Sequence, residues 1–268
     1  MMKIAYLDCF AGISGDMLLG ALVDLGVSLD TLKQELLSLG LSGYEITAQR
    51  VTRRGISGMK VDVTITGDQP HRHLKDILQI LDNSRLSESV KQDAKNIFHL
   101  LAEAEGKIHG KVPENVHFHE VGAVDSIIDI VGTLIGLQRL KVEQVYCSPL
   151  NVGSGTLHCA HGVMPVPAPA TAEILLDTPI YSAGPAVELV TPTGAVMVKY
   201  LAKGFGPMPG MILKAVGYGA GDRETQIPNL LRVMLGEEEP CQHLYQHVQG
   251  QRVHHEQGHC RNHEHKHA

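Results

Sequence analysis

Residues 3–26 read KIAYLDCFAGISGDMLLGALVDLG, and the change of period inside this stretch decides the fold. KIAYLDC, residues 3–9, is a short apolar run of the kind that forms a buried strand. From Asp16 onward the apolar residues take the spacing of a helix. Between them lies FAGISGD. Gly12, Ser14 and Gly15 just before a helix N-terminus can form a nest of backbone N–H groups for an anion such as phosphate. The loop is neither a P-loop, since no Gly-Lys-Ser/Thr closes it, nor a GxGxxG turn. Asp8 and Asp16 can hold a divalent ion accompanying that phosphate; alternatively the loop is a tight turn with Asp16 capping the helix.

Working outward, the alternation of strand and helix continues. LDTLKQELLSLG reads as a helix stopped by Gly40. YEITAQRVTRRG and MKVDVTIT read as two strands joined through Gly55 and Gly58. Residues 74–82 and 87–108 have helical spacing, the second opened by Ser87 as N-cap. NVHFHEVGAVDSIIDIVG is an extended piece leading into a helix that ends near Leu140. VEQVYCSPLNVGSG is strand-like, HGVMPVPAPA a Pro/Gly-rich crossing, and TAEILLD a helix. IYSAG is a short strand, TPTGAVMVKYLAKG a helix, MILKAVGYGAGD a strand and loop, and NLLRVMLGE a last strand. The expected class is α/β or α+β, a mixed sheet with alternating helices. The one sharp change of composition follows Pro240. It divides a body over residues 1–240, of one or two subdomains, from a tail over 241–268.

Composition narrows the function. The chain has 268 residues, 43% of them hydrophobic, enough for a sizeable core. Net charge is −6, aromatics are 4% and Trp is absent. With no basic stripe and few stacking surfaces, nucleic acid is not an expected partner. No apolar run reaches the roughly 18 residues of a membrane span. The five cysteines are odd in number, scattered and without CxxC, which reads as reduced thiols in a cytoplasmic protein.

The tail carries eight histidines: His243, His247, His254, His255, His259, His263, His265 and His267. Its sizeable hydrophobes, Leu244, Tyr245, Val248 and Val253, are too few for a core, so disorder is expected. Imidazole suits nickel, zinc and copper, whereas Mg²⁺ and Ca²⁺ prefer oxygen. Cys260 stands close by as a soft ligand. A coil of this length spans roughly 30 Å, enough to hand a metal to a site on the body.

In the body, His117, His119, Glu120, Asp125 and Asp129 form the densest titratable cluster. Extended spacing puts His117 and His119 on one side, and Asp125 and Asp129 share a helical face at i, i+4. Two imidazoles and two carboxylates suit a divalent metal, with Glu120 as a ligand or general base; a solvated helix start is the plainer alternative. His71 and His73 repeat the i, i+2 spacing ahead of a helix, as a substrate contact or a plain loop. His158 and His161 flank Cys159 as a metal or substrate trio. Glu188 and the Thr191-Pro192-Thr193-Gly194 run, at another helix start, form a second potential phosphate seat. Asp222, Arg223 and Glu224, after GYGAG, contact a charged ligand or make a polar turn.

Taken together, YLDCFAGISGDMLLGAL, HRHL, VHFHEVGAVDSIIDIVG, SPLNVGSG, HGVMPVPAPAT, ELVTPTGA and GYGAGDRE resemble the LarC family of nickel-insertion proteins. The resemblance covers most of residues 3–236 in order. It implies insertion of Ni²⁺ into pyridinium-3,5-bisthiocarboxylic acid mononucleotide, giving the nickel-pincer nucleotide of lactate racemase. That apoprotein is then the downstream recipient. It further implies lyase-type chemistry driven by CTP with Mg²⁺ or Mn²⁺. Family members continue past the His-rich segment into a C-terminal portion that binds CTP. The expectation is therefore that a separate C-terminal portion completes the activity. Two other functions stay open: nickel or zinc storage without catalysis, and metal-dependent nucleotide hydrolysis centred on Asp8, His117, His119 and Asp125.

Overall fold

A computed structural model describes residues 1–70, 72–116, 124–159 and 162–238. The opening unit is as read from the sequence: β1 (Lys3–Asp8) feeds a loop and then α1 (Gly15–Asp24). Helix α2 (Leu29–Leu36) runs into a 3-10 turn that ends on Gly40, left-handed at φ 65°. Strands β2 (Tyr44–Arg53) and β3 (Ile56–Ile65) form a hairpin registered from Tyr44 opposite Ile65 to Arg53 opposite Ile56. Its turn is Arg54-Gly55, both at positive φ, the geometry that matches the twist of two-residue hairpins. Gly58 lies inside β3 rather than in the turn, because Leu230 and the Tyr218 carbonyl crowd its Cα.

Helices α3 (Leu74–Asn83) and α4 (Glu88–His109) follow, the second capped by the Ser87 side chain, which accepts from the Val90 N–H. Then come α5 (Val124–Arg139), β4 (Gln144–Cys147) and β5 (Leu150–Asn151). The expected Pro/Gly-rich crossing in fact begins in a hairpin, β6 (Thr156–Cys159) with β7 (Gly162–Pro165). It leads to α6 (Pro169–Ile174), β8 (Ile180–Tyr181) and α7 (Pro192–Leu201). The AKG expected to end that last helix belongs to β9 (Ala202–Phe205), and β10 (Met211–Ala220) and β11 (Leu230–Glu238) complete the chain of elements.

Seven strands make one mixed sheet in the order β2-β3-β10-β11-β1-β4-β9. β1, β4 and β9 are parallel, and β11 pairs antiparallel with both β1 and β10. The architecture is mixed α/β.

Two sets of glycines fix where α1 lies. A Cβ at Gly219 would meet the Met17 carbonyl at 1.7 Å, and one at Gly217 the Ala21 carbonyl at 2.5 Å. Gly217 and Gly219 of GYGAG are thus strand residues that let α1 lie directly on β10, while Gly221 follows the strand. On the other side, Gly132 and Gly136 of α5 face Leu19 and Leu22 of α1. Small residues one turn apart let the two helices approach closely. α5 is apolar almost all round: Ile127, Ile128, Ile130, Val131 and Ile135 are fully buried. Each such side chain contributes about 1.5–3 kcal/mol. The helix is therefore a core element, and its start is held beside that of α1. Among the described residues, no helix is long and apolar enough to cross a membrane.

Candidate functional site

The loop between β1 and α1 lies against the segment that enters α7. Ile13 bridges Val190, donating to the Leu189 carbonyl at 2.9 Å and accepting from Thr191 at 3.2 Å. Gly12, at φ 83°, is required twice over, since a Cβ there would stand 1.9 Å from the Leu189 oxygen. Gly194 in turn packs on the Ile13 carbonyl, 2.3 Å from where its Cβ would be. These close approaches put the first turns of α1 and α7 side by side. Ser126, in the first turn of α5, joins them through Thr193, with the hydroxyls 3.3 Å apart.

Three helix N-termini therefore border one polar cavity of about 380 Å³, lined from α1 by Ser14, Gly15 and Asp16, from α5 by Asp125, Ser126 and Asp129, and from α7 by Pro192 and Thr193. N-terminal N–H groups and dipoles favour an anion at such a place. Thr191 caps α7, its hydroxyl accepting from the Gly194 N–H at 3.2 Å. Ser14 does not cap α1 with its side chain; its hydroxyl donates to the Asp16 carboxylate instead.

The opposite wall comes from Lys60, Val61, Asp62 and Val63 of β3 and from Asp222, just beyond β10. Lys60, 4% exposed, directs its ammonium at three carboxylates: Asp16 at 2.5 Å, Asp62 at 3.1 Å and Asp222 at 3.1 Å. Burial opposes the charged ammonium, but Asp16 and Asp222 outweigh it, so Lys60 is held above its ordinary value and stays charged. Glu188 also borders the cavity and faces Arg223 at 3.8 Å.

Asp125 and Asp129 lie one turn apart on α5, on one face as their spacing predicted, and both border the cavity. Asp129 Oδ1 is buried and has no hydrogen-bond partner among the described residues. Burial first, then the neighbouring Asp16 and Asp125 charges, push its carboxyl well above the usual range, against a smaller pull from Lys60. Asp125 is also raised, chiefly by burial, against the Ser126 N–H bonded to it at 2.8 Å. A buried carboxylate without a donor is one that a bound cation or a proton would satisfy.

The other sequence candidates fall differently. Asp8 does not border the cavity; it pairs with Arg232 of the adjacent strand β11, which donates from Nε at 3.0 Å. Gly12 and Gly194 shape the junction without lining the cavity. His73 caps α3 in a reciprocal box with Asp76, and its Nδ1 lies 3.2 Å from the Val116 carbonyl. His158 and Cys159 stand on β6, beside a neighbouring depression rather than the polar cavity. His71, His117, His119, Glu120 and His161, and every histidine of the tail, lie outside the described residues. Among the described residues, no group of three or more His, Cys, Asp or Glu is placed to hold a metal ion. Lys60 and Asp62 were missed by sequence reasoning, because a polar-apolar alternation such as KVDV looks the same whether its polar face meets water or a cavity.

The class follows from this architecture: a mixed α/β chain with a polar cavity where three helices begin, walled by carboxylates and one buried lysine. The chain belongs to the nickel insertion protein family, whose family model matches residues 5–259. It is 52% identical over 248 residues to the pyridinium-3,5-bisthiocarboxylic acid mononucleotide nickel insertion protein of Geobacillus kaustophilus, covering 88% of this chain and 60% of that one. Proteins of the same name from Desulfitobacterium hafniense and Staphylococcus epidermidis are 51% and 47% identical, covering 88% and 87% of this chain and 59% of each relative. The chain thus spans about three fifths of the length of these curated relatives. No solved structure matches it.

Proposed function

We propose that the chain inserts Ni²⁺ into pyridinium-3,5-bisthiocarboxylic acid mononucleotide, forming the nickel-pincer nucleotide that lactate racemase uses. The observation that carries this reading is the pairing, in one cavity, of an anion seat and an orphaned carboxylate. The first turns of α1, α5 and α7 supply N–H groups, and Ser14, Thr191 and Thr193 hydroxyls, for the phosphate of a mononucleotide. Asp129 Oδ1, which has no hydrogen-bond partner among the described residues, supplies an acceptor for the metal.

The reaction joins nickel to two thiocarboxylate sulfurs and one ring carbon. Hydrated Ni²⁺ loses water, the ring C–H bond breaks, and the proton leaves. In this proposal Asp125 and Asp129, with His117 and His119, take nickel from water as mixed oxygen and nitrogen donors. They bind it more weakly than the final sulfur ligands, so it moves on to the substrate. Glu120 receives the ring proton. The tail histidines gather nickel and deliver it. Carboxylates such as Asp16 and Asp222 are oxygen donors of the type Mg²⁺ or Mn²⁺ takes, once Lys60 is displaced from them. CTP drives the reaction and is bound mainly by a further C-terminal portion.

The test is to incubate the chain with Ni²⁺, the mononucleotide, CTP and Mg²⁺, with and without the C-terminal portion of a relative. Product is followed by absorption and mass. Nickel-containing product that needs the added portion supports the reading. Nickel retained on the protein with no product in either arm contradicts it and favours storage, and CTP cleavage without nickel favours a hydrolase.

A further inference from the structure

A second cavity, of about 290 Å³, adjoins the polar one, because Glu188 and Pro192 line both. Its character is different. Ile108 at the end of α4, Leu157 of β6, Met164 of β7 and the Ala168-Pro169-Ala170 entry to α6 give it an apolar lining. Two carboxylates stand in its wall: Glu105, whose partner is His109 at 3.3 Å, and Glu188, which faces Arg223 at 3.8 Å. The β6–β7 hairpin supplies Leu157, Cys159 and Met164 to this trough, and none of its described residues lines the polar cavity.

We propose that this trough seats the pyridinium ring of the mononucleotide while its phosphate lies in the polar cavity, so that one ligand spans both. The assignment rests on the nickel-insertion reading. A pyridinium ring is flat, apolar on its faces and positively charged at nitrogen. It fits a slot of aliphatic and proline surface with a thioether at hand and carboxylates in the wall. The ribose is attached at the ring nitrogen, and carbon 4, between the two thiocarboxylates, lies opposite. Anchoring the phosphate at the helix N-termini therefore directs the nickel-accepting edge into the trough. Cys159 and His109 line the trough, and neither borders the polar cavity.

Cys159 reports on occupancy, being part-exposed while Cys9 and Cys147 are buried. Its alkylation by iodoacetamide is followed by peptide mass spectrometry on the whole chain. The ligands are the all-oxygen analogue, pyridinium-3,5-dicarboxylic acid mononucleotide, and ribose 5-phosphate, which lacks the ring. Binding of each is measured separately by calorimetry. At about ten times its Kd the analogue leaves roughly a tenth of sites open, so alkylation slows about tenfold, whereas ribose 5-phosphate leaves the rate unchanged. Ala170→Phe, which fills the trough, weakens the analogue about tenfold or more without changing ribose 5-phosphate binding. An analogue that binds yet leaves Cys159 unprotected overturns the assignment, as does equal protection by both ligands. Failure of the analogue to bind at all overturns the mononucleotide reading itself.

Discussion

The carboxylate of Asp129 lies directly against the Cα of Gly15: a Cβ at that position would stand 2.4 Å from Oδ2 and 2.7 Å from the Asp129 Cβ. The start of α1 and the second turn of α5 are thus as close as a glycine allows. Both residues line the polar cavity, and Oδ1 of the same carboxylate has no hydrogen-bond partner among the described residues.

Gly15→Ala should therefore destabilise the protein by about 1–3 kcal/mol, the usual cost of overpacking. The sign is informative. Alanine is the better helix former by about 1 kcal/mol, so in an open site the same change would stabilise. Chemical denaturation measures it, and a rise in stability would show that α1 and α5 are further apart.

Lys60→Met should cost about 1–2 kcal/mol. Removing one partner from a buried pair leaves carboxylates repelling one another, but Asp62 and Asp222 are 35% and 77% exposed, so water screens much of the loss. The cost falls mainly on Asp16. Urea unfolding at low and high salt would check it. An unchanged midpoint in both would mean that the lysine is not the counter-charge of this wall.

Asp129→Asn tests the raised carboxyl through its pH dependence. A carboxyl whose folded-state value lies above its unfolded one binds its proton more tightly when folded. Its contribution is complete at low pH and is lost as pH rises through the folded value. Asparagine does not titrate. The melting temperature of the variant relative to wild type should therefore increase as pH rises from acid toward neutral. A constant difference across that range would contradict the assignment.

Removing residues 241–268 should lower the number of nickel ions bound while leaving the melting temperature unchanged. Eight imidazoles leave with the segment, whose few hydrophobes supply little core. Equilibrium dialysis and a melting curve read the two halves. An unchanged nickel count would refute delivery by the tail.

Much of this was legible in the sequence. The switch from KIAYLDC to the spacing after Asp16 gave β1 and α1, and the i, i+4 interval put Asp125 and Asp129 on one wall. What escaped depends on pairing between distant segments. Glycine marks a turn and a close approach equally well, so the strand-and-loop reading of MILKAVGYGAGD gave no sign that Gly217 and Gly219 lie in β10 under α1. Asp8 looked like a ligand because its partner, Arg232, is 224 positions away. The hairpin of β6 and β7 was hidden because Pro165 at its end reads as a breaker.

The most direct measurement is the rate of nickel insertion by Asp129→Asn, assayed with CTP, Mg²⁺, the mononucleotide and the C-terminal portion of a relative. Asparagine keeps the shape of the side chain and removes the charge that takes nickel from water. The variant should fold and bind the mononucleotide as wild type does, yet insert nickel about a hundredfold more slowly. Insertion within about twofold of wild type, far short of that loss, would show that Asp129 does not take nickel from water in this reaction.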